Sequence, residues 1–108
     1  MKQRMVYMTA GSQSEAERIA QTLVDERLAA CVNVLPPILS VYRWKGQVER
    51  ATEVAIVAKT RVDLVQKLTE RVLSLHSYEC PCVVSLALDG GNPAFLNWIT
   101  TETETEGT

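Results

Sequence analysis

Cys80-Pro81-Cys82 is the string in this sequence whose residue types point most directly to chemistry. In an extended segment residues i and i+2 face the same side, so two thiolates at this spacing would clamp a soft cation. The spacing fits equally well one buried and one exposed cysteine with no shared ligand, because packed cysteines behave as small apolar residues. Cys31, among Ala29, Ala30 and Val32, reads as packed and inert. His76 is the only imidazole, which leaves a Cys–His nucleophilic pair with a single base and no orienting third residue. Near the end of a helix, its more ordinary role is as a capping group or a cation favoured by the helix dipole. Tyr42 and Trp44 alternate along an extended stretch and share a face, as an anchor on a neighbouring subunit or as a binding platform. Gly90-Gly91 lacks the strand-to-helix context of a dinucleotide fingerprint and reads as a turn. No phosphate loop, oriented nucleophile or metal-hydrolase motif is present, so the chain is expected to be no enzyme.

The elements that must position these residues alternate between short apolar runs and amphipathic helices. Arg4 to Ala10 suits a strand, ended by Gly11. Ser12 followed by Glu15 is a capping-box signal, and Ala16, Ile19, Ala20, Leu23, Val24 and Leu28 predict a helix over about residues 14–29. Cys31 to Leu35 is a strand interrupted by Pro36-Pro37, which requires a bend, a bulge or a sheet edge. Ile38 to Thr60 predicts a hairpin turning at Lys45-Gly46. Thr60 is expected to cap a second helix whose buried stripe is Val62, Val65, Leu68, Val72 and Leu75. Cys82 to Leu88 is the last core strand, and Asn92-Pro93 opens a short helix reaching about residues 98–101.

This order is that of two split βαβ units, an α+β, ferredoxin-like βαββαβ sandwich with a short C-terminal helix. With 108 residues it is one domain, residues 1–101, followed by an acidic Thr/Glu tail, residues 102–108, expected to be flexible. Apolar residues make up 46% and charged residues 22%, the balance of a globular chain rather than a disordered one. Lys and Arg number 11 against 13 acids. Three of those acids, Glu102, Glu104 and Glu106, sit in the tail, so the body is near neutral and carries no basic cluster. That argues against nucleic acid as a partner. The N-terminal apolar run is too short for a signal-peptide core or a membrane span, and three cysteines make no disulfide framework. A reducing cytoplasm and no membrane association are the expectation.

A four-stranded antiparallel sheet with two helices on one face should alternate apolar and polar residues. Here Val54 to Ala58 and most of Val83 to Leu88 are apolar throughout, and Met5 to Met8 is continuous. Two helices cover one face only, so the other must be buried by further copies of the chain.

The stretches Leu28-Ala29-Ala30-Cys31-Val32-Asn33, Tyr42-Arg43-Trp44-Lys45-Gly46, Glu53 through Thr60, His76-Ser77-Tyr78-Glu79-Cys80-Pro81, and Gly91-Asn92 with Phe95-Leu96-Asn97-Trp98-Ile99 together resemble the CutA divalent-cation-tolerance family. The resemblance implies a homotrimer with sheets packed inward, an architecture related to PII-type signalling proteins. It further implies association with copper or other divalent metals, with no obligatory cofactor. Members linked to copper carry Cys where this chain has Met8, a His pair where it has Leu75-His76, and Glu where it has Cys82. Thioether and thiolate suit Cu(I). Pairing of the first and last strands would bring Met8 near Cys82, with His76 a short loop away, so His76, Cys82 and Met8 are the expected metal donors. Tyr42, Trp44, Lys59 and Trp98 are the expected residues of the subunit interface or cleft. For Lys59 a phosphate-binding role, as in signalling relatives of the fold, stands beside that of a solvated lysine. The alternative to a metal-tolerance protein is a PII-like module that binds a partner or small molecule at the clefts.

Overall fold

The computed structural model describes residues 2–104. Four strands and three helices follow in the order β1 (Gln3–Ala10), α1 (Gln13–Asp25), β2 (Cys31–Trp44), β3 (Gln47–Arg61), α2 (Val65–Leu75), β4 (Val83–Ala87) and α3 (Pro93–Glu102). The strands form one antiparallel sheet in the order β2-β3-β1-β4, the arrangement expected of a ferredoxin-like α+β sandwich. The register pairs Val6 with Ala58, Met8 with Ile56 and Ala10 with Val54. All six are buried against Ala16, Ile19 and Leu23 of α1 and Leu68 and Val72 of α2. Both long helices therefore cover the same face of the sheet.

The helix boundaries differ from the sequence expectation for local reasons. The apolar period that runs to Leu28 does not carry α1 that far. Arg27 turns left-handed (φ 57°), its N–H donating to Val24 O and that of Leu28 to Leu23 O. This hydrogen-bond pair is a Schellman termination, which folds Leu28 back onto the core with Arg27 in the place usually taken by glycine. Thr60 does not cap α2. It lies within β3, fully buried, and its hydroxyl donates to Leu28 O at 2.7 Å, while a 3₁₀ turn over Val62–Leu64 leads into α2. Pro36-Pro37 marks a register shift between Val34 and Pro37, and β2 continues through it as the sheet's edge strand, where missing donors cost little. At the other end, α3 reaches Glu102, and Thr103 is buried with its hydroxyl donating to Ile99 O. Residues 102–104 are thus ordered into the fold, and the remainder of the expected acidic tail lies outside the described residues.

β1 pairs with β3 only from Val54 onward, so residues 38–53 leave the sheet as a two-stranded arm. The molecule accordingly measures 46 × 26 × 23 Å. Lys45 and Gly46 turn the arm with positive φ at both positions (50° and 81°), a two-residue hairpin whose twist matches the strands it joins. The face opposite the helices carries Met5, Tyr7, Val57, Val84 and Leu86, and Val84 and Leu86 are 53% and 48% exposed. Leu39, Val41 and Val48 on the arm are exposed as well.

Candidate functional site

The arm and the 76–82 loop flank a cleft of about 580 Å³ lined by Tyr7, Thr9, Tyr42, Trp44, Glu53, Tyr78 and their neighbours Glu79, Cys80 and Cys82. Its floor is the uncovered face of the sheet. Strand alternation puts Tyr7 and Thr9 on this face and sends Met8 to the core. Tyr42 and Trp44, two residues apart on β2, face it from the arm, as the alternation in the sequence implied.

One hydrogen-bond network fixes the loop. His76 ends α2, its N–H bonded to Val72 O. Its Nε2 donates to Thr9 O at 2.7 Å, and its Nδ1 accepts the Tyr78 N–H at 3.1 Å. An acceptor Nδ1 and a donor Nε2 define one neutral tautomer. The imidazole is therefore a buried strut between β1 and the loop. Glu15 supports it from α1: its carboxylate accepts the N–H of Ser77 at 2.8 Å and of Gly11 at 3.2 Å, and lies 4.0 Å from His76 Nδ1. Burial works to raise the Glu15 pKa, but the hydrogen bonds from Ser77 and Gly11 more than offset it, and the carboxyl is held below its ordinary range.

Tyr78 donates its hydroxyl to Glu53 Oε2 at 2.8 Å across the cleft floor. Burial, with the adjacent Glu53 carboxylate, pushes the phenol well above its ordinary value. Burial also raises the Cys82 thiol, again with help from Glu53. Gly11 makes room for this arrangement: a Cβ there would stand 3.2 Å from the Tyr78 hydroxyl. Lys45 sits 3.6 Å from Glu79 at the arm's tip.

The structure does not bring the three expected metal donors together. Met8 is fully buried between sheet and helices, whereas Cys82 lines the cleft on the opposite face. Met8 pairs with Val83, so the two residues are near in sequence register but point apart. Both nitrogens of His76 are engaged. Among the described residues no three His, Cys, Asp or Glu side chains converge to hold a metal ion. Of the expected interface residues, Tyr42 and Trp44 line the cleft, while Lys59 is hydrogen-bonded to Asn33 Oδ1 across the β2–β3 ladder. Trp98 lies elsewhere, stacked on Phe95 of α3 at 5.4 Å and bordering a shallow groove with Val24 and Arg27. Sequence reasoning missed Glu15, Glu53 and Tyr78 as site residues. Glu15 had a signal, the capping box, but one that explains only its link to Ser12. No local pattern marks the Glu53–Tyr78 pair, which is 25 residues apart.

Comparison with known proteins agrees with this architecture. Residues 4–102 match the family described as CutA1 divalent ion tolerance protein. The chain is 48% identical over 93 residues to a CutA homolog of Xenopus laevis, covering 86% of this chain but 62% of that protein. It is 44% identical to the divalent-cation tolerance protein CutA of Archaeoglobus fulgidus, covering 87% of this chain and 91% of that one. The chain therefore spans about three-fifths of the frog relative and nearly all of the archaeal one. The solved structure of the Thermus thermophilus divalent cation tolerance protein superposes with a TM-score of 0.92 at 41% identity, covering 94% of this chain and 99% of that one. That of the Archaeoglobus fulgidus protein, described as periplasmic, does so at 0.91 with the same identity and coverage. No helix among the described residues is long and apolar enough to cross a membrane. The chain belongs to the CutA1 divalent ion tolerance family.

Proposed function

We propose that the chain is a non-enzymatic homotrimer of divalent-metal tolerance, binding a soft metal such as copper weakly at the clefts between subunits. The observation that carries this reading is the cleft itself, where two thiols and two carboxylates (Cys80, Cys82, Glu53 and Glu79) line one cavity beside an uncovered apolar sheet. Among the described residues fewer than three donors converge, so binding is weak unless a neighbour adds to it. The uncovered face supplies the reason for assembly, since leaving Val84, Leu86 and the arm's Leu39 and Val41 wet forfeits about 25 cal/mol per Å². The three thiols are free, which suits a reducing compartment, the cytoplasm; relatives are named for the periplasm and the chloroplast. Equilibrium dialysis of reduced protein against copper, paired with sedimentation equilibrium, tests both halves. A metal-free protein at stoichiometric copper, or a stable folded monomer, refutes the corresponding half.

A second reading, a PII-like module that recognises a small molecule or protein partner, is favoured by the size and aromatic walls of the same cleft. A volume of about 580 Å³ lined by Tyr7, Tyr42, Trp44 and Tyr78 suits a small organic ligand. A Trp44→Ala variant compared with the parent in capture experiments from the native cell separates this reading from the first.

A further inference from the structure

We propose that Cys80 and Cys82 form a two-coordinate dithiolate site for Cu(I) on the wall of this cleft. The proposal rests on the metal-tolerance reading above and replaces the expected donor set of His76, Cys82 and Met8 with one that the geometry permits.

Both cysteines are free, both line the same cavity, and Cys80 is exposed to an incoming ion. They flank Pro81 in a segment that precedes β4, which begins at Val83, so no ladder bond holds their backbone to the sheet. From positions two residues apart, both side chains line this one cleft. The number of donors then selects the ion. Structural Zn(II) takes four ligands and Ca(II) six or more, whereas Cu(I) is satisfied by two soft thiolates in line.

The competing donors nearby are already occupied. Glu53 Oε2 accepts the Tyr78 hydroxyl, Glu79 faces Lys45, the Nδ1 lone pair of His76 accepts the Tyr78 N–H, and the Met8 sulfur is sealed in the core. Binding releases a proton from each thiol to solvent. Because each thiol must lose its proton to bind, affinity rises with pH.

The test is an anaerobic titration of the reduced full chain with Cu(I) against a chromophoric Cu(I) chelator, followed by X-ray absorption at the copper edge. The expected result is one Cu(I) per chain with a sulfur-only first shell. The chelator-resistant fraction should be lost in Cys80→Ser and in Cys82→Ser and kept in Cys31→Ser. Cys80 is exposed, so Cys80→Ser keeps its fold, which circular dichroism verifies. Undiminished binding by Cys80→Ser, or nitrogen in the first shell, overturns the dithiolate while leaving metal binding in place. No Cu(I) binding by the parent chain overturns the dithiolate and the copper reading together.

Discussion

The imidazole Nε2 of His76 donates to the carbonyl oxygen of Thr9 across 2.7 Å, joining the end of α2 to the strand at the centre of the sheet. The bond satisfies a carbonyl at the end of β1, and through Tyr78 N–H the other nitrogen sets the path of the cysteine-bearing loop. Truncation leaves the Thr9 carbonyl without this partner in a part-buried place and frees the Tyr78 N–H. His76→Ala should lower the unfolding free energy by about 2–4 kcal/mol, from lost hydrogen bonds and a cavity together. Copper stoichiometry should survive in the folded fraction. Denaturant titration beside a metal-binding assay checks both, and a His76→Ala chain of unchanged stability contradicts the strut.

Glu15 is the acid beneath this loop. Its folded pKa lies below the ordinary carboxylate value of 4.5, so its stabilisation is fully present above that value and fades as pH falls through the folded one. Glu15→Gln should cost about 1–2 kcal/mol at neutral pH, and the gap from the parent should close on acidification below about pH 4. Thermal melts across that range would show it, and a gap independent of pH would contradict it.

Tyr78 gives the opposite sign. Its phenol is raised above the ordinary value of 10.0, so its neutral form is favoured in the fold and the stabilisation is lost as pH rises above 10. Tyr78→Phe leaves the buried Glu53 carboxylate without that donor and should cost roughly 1 kcal/mol near pH 8. The variant should also lose less stability than the parent between neutral and strongly alkaline pH.

Leu86 projects from the edge strand into the uncovered face. Covering about 200 Å² of such apolar surface per subunit would stabilise the proposed assembly by about 5 kcal/mol. Leu86→Glu places a charge in that contact, and sedimentation equilibrium should show dissociation at concentrations where the parent remains assembled. An unaffected oligomer would mean that this face is not the one buried.

Lys45 adopts a left-handed conformation (φ 50°) at the first position of the hairpin turn. Asn tolerates that region better, because its short side chain hydrogen-bonds locally. Lys45→Asn should stabilise the chain by about 0.5 kcal/mol or more, read from the shift in the denaturant midpoint.

The sequence by itself determined the layer structure. Periodicity at Ala16, Ile19 and Leu23 and at Leu68 and Val72 placed two helices over one face, and the strand order followed from the split βαβ pattern. The surplus of apolar residues in β3 and β4 implied the uncovered face, because burial is proportional to area and composition shows area directly. Gly46 identified the turn, since glycine accepts positive φ without steric cost.

Only the tertiary structure decided the site. Alternation along β1 turned Met8 inward and Tyr7 and Thr9 outward, so a thioether and a thiol adjacent in register ended on opposite sides of the sheet. Thr60 carries a capping residue's side chain, yet the nearby Leu28 carbonyl, brought in by the Schellman turn at Arg27, claimed its hydroxyl. The Tyr78–Glu53 and His76–Thr9 bonds join residues 25 and 67 positions apart. Hydrogen bonds of that span depend on where packed strands and helices end in space, a property that spacing along one chain does not encode.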